Sequence, residues 1–233
     1  MTSKHIYRDP TQGRVSPLRV FGLCLAVILA FIAVDLLVFA DGASFKREGG
    51  GLETASAVLY IVAAVVFLRV VPEGSLTRLV HVPLLMVLFA LRELDFDKAF
   101  TSSGILSLRL YSGDSPLTTK LIAGAVAVAA VFVILRTVWV GVPAAWRALR
   151  TGAVWPWYAA AAGGVVVVAK SIDGLGRKLL EFGIVISDDL DATAALVEEV
   201  GEAFIPVFAM MAVFSRWRGG MVDGGGGRGP ASH

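Results

Sequence analysis

Cysteine is nearly absent from this 233-residue chain, and the single thiol, Cys24, falls within the first apolar run. One cysteine excludes an intramolecular disulfide and any cysteine-based metal cluster. Histidine is almost as scarce. His5, His81 and His233 are far apart in sequence, which argues against the histidine-held zinc of membrane hydrolases. Charged residues make up only 17% of the chain, with a formal net charge of +2 and the basic residues scattered rather than massed, so a nucleic-acid partner is excluded. What fills the chain instead is hydrocarbon: 56% of residues are hydrophobic and the mean hydropathy is +0.74. That composition excludes a water-soluble enzyme, because too little polar surface remains to cover a core of this size.

The apolar residues fall in runs of about 20, the length that crosses a hydrocarbon core roughly 30 Å thick. Such runs cover residues 18–40, 53–71, 78–100, 118–140, 153–176 and 192–215, which predicts an all-α bundle of six transmembrane helices. Breakers lie between them: Asp41-Gly42, Gly49 to Gly51, Pro72 to Gly74, Ser112 to Pro116, and Gly141-Val142-Pro143, where the fourth span is expected to end. Nothing between the runs suggests a second domain. Residues 1–17 read as a short N-terminal segment, and residues 217–233, rich in glycine, as a disordered tail. The length of the first run, and Asp35 within it, argue for a retained span rather than a cleaved signal peptide.

Orientation follows from lysine and arginine near the helix ends. One side collects Lys4, Arg8, Arg14, Arg19, Arg69, Arg78, Arg136, Arg147, Arg150, Arg216, Arg218 and Arg228 against only Asp9, Glu73 and Asp223. Both termini are therefore expected in the cytoplasm, in a multi-pass protein of a cell membrane such as the bacterial inner membrane. The tryptophans at 139, 146, 155, 157 and 217 fall on the same side, as an interfacial aromatic belt does.

The acids lie on the other side, several of them too deep for loops. At 1.5 Å per residue, Arg92 stands about 21 Å above Arg78, Lys170 about 22 Å above Trp155, Glu202 about 21 Å above Arg216 and Asp35 about 24 Å above Arg19. An ionisable group at that depth costs several kcal/mol if it faces lipid, so these groups are expected to face the bundle interior and one another. Glu198, Glu199 and Glu202 share a helix face at three- and four-residue spacing. Arg92, Asp95 and Lys98 step along the third helix, with Glu93 beside them, and Lys170, Asp173 and Arg177 step along the fifth. Basic-x-x-Asp recurs in the two as Arg92/Asp95 and Lys170/Asp173. Glu53, Ser56 and Tyr60 form one stripe of the second helix, and Lys120 stands at the outer end of the fourth.

These twelve candidates are Glu53, Arg92, Glu93, Asp95, Lys98, Lys120, Lys170, Asp173, Arg177, Glu198, Glu199 and Glu202. Carboxylates without histidine or cysteine suit hard cations such as Mg²⁺ or Ca²⁺, with Glu198, Glu199 and Glu202 as the metal ligands. The basic members suit a phosphate or carboxylate, so a polar or phosphorylated headgroup would engage both sets. The leading expectation is a protein that binds a small ion or polar headgroup in its extracytoplasmic half, as a proton- or cation-coupled transporter. A metal-dependent hydrolase or transferase acting on an outer-leaflet lipid headgroup is the alternative, and a purely structural ion-pair network in an assembly partner is the third. Smaller expectations are a kink at Pro83 and close helix packing at Gly163-Gly164.

Overall fold

The computed structural model describes residues 16–39, 49–96, 101, 104, 105 and 107–217, without the side chain of residue 73. Lys98, residues 1–15 of the expected N-terminal segment and residues 218–233 of the expected tail lie outside the described residues. Among these residues every regular element is helical. In chain order they are α1 (Pro17–Phe39), α2 (Gly51–Val70), a 3₁₀ turn (Glu73–Ser75), α3 (Leu76–Leu79), α4 (His81–Glu93), α5 (Leu108–Ser112), α6 (Leu117–Arg150), α7 (Trp155–Ile172), α8 (Leu175–Leu180) and α9 (Asp188–Trp217). Three of them, α1, α2 and α6, are long and apolar enough to cross a membrane.

Helix α2 is the axis of the bundle, touching α1, α4 and α9, while α9 also packs along α7 and α1. Its buried stripe, Leu52, Ala55, Leu59, Ala63 and Phe67, steps by three and four residues, as a helix face requires. Alanines let the neighbours approach closely. Val20, Cys24 and Ile28 of α1 meet that stripe, as do Met86 and Ala90 of α4 and Ala203, Val207 and Met210 of α9. The backbones of α1 and α2 come close at Gly51, where an added Cβ would stand 2.7 Å from the carbonyl oxygen of Phe31 on α1. Gly163 and Gly164 are not the packing site expected of them, since a Cβ on either meets nothing within 4 Å.

Helix α6 lies at the periphery, against α4 and briefly against α7. Leu121, Ile122, Val128, Phe132, Leu135 and Trp139 on it are exposed, a hydrocarbon surface of the kind that faces lipid. The expected stop at Gly141-Val142-Pro143 does not occur, and α6 continues through Pro143 to Arg150. Pro143 removes one backbone hydrogen bond, but the alanines, leucine and arginines that follow are strong helix formers and carry the helix on. Its actual end is a Schellman motif: Gly152, at φ 77°, donates to Leu149 and Ala153 donates to Ala148.

The third expected helix departs most from its predicted limits. It breaks at Val80, three residues before Pro83, because the proline has no N–H for the Leu79 carbonyl and its ring crowds that carbonyl. It also stops at Glu93 rather than reaching residue 100, with Asp95 left-handed at φ 46°. Acids at the negative end of a helix dipole are unfavourable, and Glu93 and Asp95 lie at that end. Helix α9 begins earlier than expected, where the Ser187 hydroxyl accepts from the Leu190 N–H and Asp188, Asp189 and Asp191 occupy the first turn.

Candidate functional site

Helices α4 and α7 each carry a cation in the last turn, Arg92 on α4 and Lys170 on α7. A cation there is favoured by the partial negative charge of the helix C-terminus. Both reach the same carboxylate. Arg92 Nη2 and Lys170 Nζ each stand 3.0 Å from Oε1 of Glu202, near the middle of α9. Glu202 keeps only 11% of its side-chain exposure, against 46% for Arg92 and 40% for Lys170, so the carboxylate is inside and the cations reach in from the rim. Both nitrogens meet the one oxygen at charge-assisted contact distance.

Around this centre the remaining charges are arranged in pairs. Arg92 Nη1 donates to Glu93 Oε1 at 3.2 Å, and Glu93 is itself buried. Lys170 Nζ donates to Glu198 Oε1 at 3.4 Å and to Asp173 Oδ2 at 3.2 Å. Four carboxylates, Glu93, Asp173, Glu198 and Glu202, thus share two cations. The basic-x-x-Asp echo has a positional meaning: in both cases the base lies in the last helical turn and the aspartate just beyond it.

Tyr60 of α2 completes the wall and is not among the twelve candidates. It is 1% exposed, its ring stacks on Phe89 with centroids 5.3 Å apart, and its buried hydroxyl has no hydrogen-bond partner. Glu93 and Glu202 are near enough for their charges to act on it. The stripe through Glu53 and Ser56 points to Tyr60, but Ser56 turns back on its own helix, donating to the Leu52 carbonyl at 3.0 Å.

Other predicted members are held elsewhere. Glu53 accepts from the Gly49 N–H at 2.6 Å and so caps the start of α2, although its charge still acts on Glu93. Lys120 donates to the Gly113 carbonyl at 2.7 Å, tying α6 to the loop before it. Arg177 folds over Gly174, and Lys178 reaches back to the Lys170 carbonyl at 3.0 Å, covering the end of α7. Asp95 lies past the end of α4, off any helical face shared with Arg92. Glu199 is half-buried one residue beyond Glu198. Among the described residues no group of three His, Cys, Asp or Glu is placed to hold a metal ion. The Lys170 ammonium stands within 3.4 Å of both Glu198 and Glu202.

A shallow groove of about 220 Å³ lies nearby on α2, lined by Thr54, Ala57, Val58, Ile61, Val62 and Leu94. It is apolar and is not part of the charged centre. No protein-family model, curated protein or solved structure matches the chain.

Proposed function

We propose that the chain is a six-span protein of a cell membrane, with both termini in the cytoplasm, that takes up a proton or small cation in the charged cluster around Glu202 and couples this to transport. The three apolar helices α1, α2 and α6 support the membrane reading. The lengths of α3 with α4, of α7 and of α9, about 27, 27 and 45 Å at 1.5 Å per residue, suit three further crossings. The arginines at the far ends support the orientation.

The observation that carries the ligand assignment is the sharing, among the described residues, of two cations by four carboxylates around one nearly buried acid. Fully ionised, such a centre holds an excess of negative charge in a poorly solvated place, and taking up a proton or cation relieves it. The same excess disfavours a phosphorylated headgroup, which would add charge of the wrong sign. It also gives the sites for proton exchange a natural partner set, with Arg92 and Lys170 stabilising whichever carboxylate remains ionised.

Proteoliposomes with an imposed proton, sodium or potassium gradient test this, read by an entrapped pH dye and by isotope uptake. The native protein should dissipate at least one gradient well above empty vesicles, Glu202→Gln should lose the flux, and Asp173→Asn should keep most of it. Native vesicles indistinguishable from empty ones under all three gradients would overturn the reading. A second reading, that the charges only orient the helices, is favoured by each of the four carboxylates having a cation within 3.4 Å. It predicts that Glu202→Gln lowers stability with no flux to lose.

A further inference from the structure

At the end of the bundle away from Glu202, three arginines from three helices gather: Arg78 on α3, Arg136 on α6 and Arg216 near the end of α9. Arg136 Nη2 donates to the Arg78 carbonyl at 3.3 Å, which draws the α6 cation over α3. The Arg216 guanidinium lies over two rings, 4.3 Å from the centroid of Trp155 and 4.9 Å from that of Trp217. Trp217 in turn packs edge-on against Phe67 of the core at 5.0 Å, so this cation is held by a rigid support. Arg78 is near enough to Arg216 for their charges to repel, and Arg136 acts in the same way on His81. His81 is 2% exposed, and its Nδ1 has no hydrogen-bond partner.

Among the described residues none of the three arginines is in an ion pair with a carboxylate. Like charges positioned by stacking and by a backbone contact leave a local excess of positive potential, which an anion among them would relieve. Guanidinium suits phosphate in particular, since its planar fork donates two parallel hydrogen bonds and stays charged at any working pH. The adjoining surface of α6 is apolar, with Leu135 and Trp139 among its exposed residues. A phosphate here would therefore sit beside a surface fitted to hydrocarbon chains.

We propose that Arg78, Arg136 and Arg216 bind the phosphodiester headgroup of an anionic phospholipid whose acyl chains lie along α6 beside Leu135 and Trp139. This rests on the bundle spanning a membrane and not on what Glu202 binds.

The test is thermal unfolding of the purified full chain in neutral detergent at physiological ionic strength, titrated with phosphatidylglycerol, phosphatidylcholine or inorganic phosphate. Phosphatidylglycerol should raise Tm by several degrees, while phosphatidylcholine and millimolar phosphate should leave it nearly unchanged. Arg216→Gln should raise the lipid concentration needed by about tenfold, the scale of one lost charge-assisted contact. Arg150→Gln, which removes an α6 cation about 21 Å along the helix from Arg136, should leave the response intact. Where Arg216→Gln does not fold, Arg136→Lys keeps the charge without the fork and should still weaken the response. Equal responses to the two lipids, a full response to inorganic phosphate, or equal losses in Arg216→Gln and Arg150→Gln would each overturn the lipid site. Glu202→Gln should respond to phosphatidylglycerol as the native chain does, so a failure of the cation reading leaves this result standing.

Discussion

Where α4 and α7 terminate, the bundle gathers four carboxylates and two cations, each acid within 3.4 Å of a cation, and the central acid is nearly buried. At the opposite end it gathers three arginines and two tryptophans, with no carboxylate paired to those arginines among the described residues. Charge of both signs is needed only where charge is taken inside, because a desolvated ion without a counterion is expensive. At the other end one sign suffices, since the guanidinium groups lie on aromatic rings or at the surface and keep access to water or headgroups. The two ends therefore differ in what a mutation exposes: a stranded buried charge at one, a lost surface contact at the other.

The strongest challenge to that contrast is to remove one cation from each end. Arg92→Ala should lower unfolding stability in detergent by about 2 kcal/mol, below the usual cost of breaking a fully buried pair because Arg92 is half exposed. Arg216→Ala should cost less than about 1 kcal/mol, the value of an exposed cation over a ring. Equal losses would erase the distinction. A double-mutant cycle sharpens it. Glu202→Gln added to Arg92→Ala should recover part of the loss, with a coupling of about 1 kcal/mol, whereas Glu202→Gln added to Arg216→Ala should be additive within about 0.5 kcal/mol.

Tyr60→Phe asks whether the hydroxyl belongs to the site or to the fold. Removing a buried hydroxyl without a partner should leave stability unchanged or raise it by up to about 1 kcal/mol, and the pH dependence of flux in proteoliposomes should shift. A large loss of stability would place the hydroxyl in the structural network instead. The smallest effect is expected from Asp173→Asn, whose pair with Lys170 is exposed on both sides. It should change stability by less than about 0.5 kcal/mol, measured by the same unfolding assay.

Depth counted along the helices is enough to bring Arg92, Lys170 and Glu202 together, because all three lie within helical residues and the rise per residue is fixed. Spacing along an assumed helix is what fails at Asp95 and Arg177, while Lys120 stands at the helix end expected of it. Asp95 follows a helix that ends at Glu93, Lys120 is tied to the loop at Gly113, and Arg177 belongs to a separate short helix after the left-handed Gly174. Helix ends depend on a few backbone angles that an apolar run does not encode. Close packing is equally hidden: the paired glycines at 163 and 164 look like a contact and face open space, while Gly51, one glycine in a loop-like triplet, meets the α1 backbone. Which glycine is buried depends on the rotation of its helix against a neighbour, a tertiary property.

Chain order adds a matter of timing. A ribosome makes α4 and α7 before α9, so Arg92 and Lys170 both exist before the carboxylate that joins them does. Until α9 arrives, the carbonyl ends of their own helices and the acids beside them are the partners at hand. A chain cut short before residue 202 keeps both cations and lacks their shared acid.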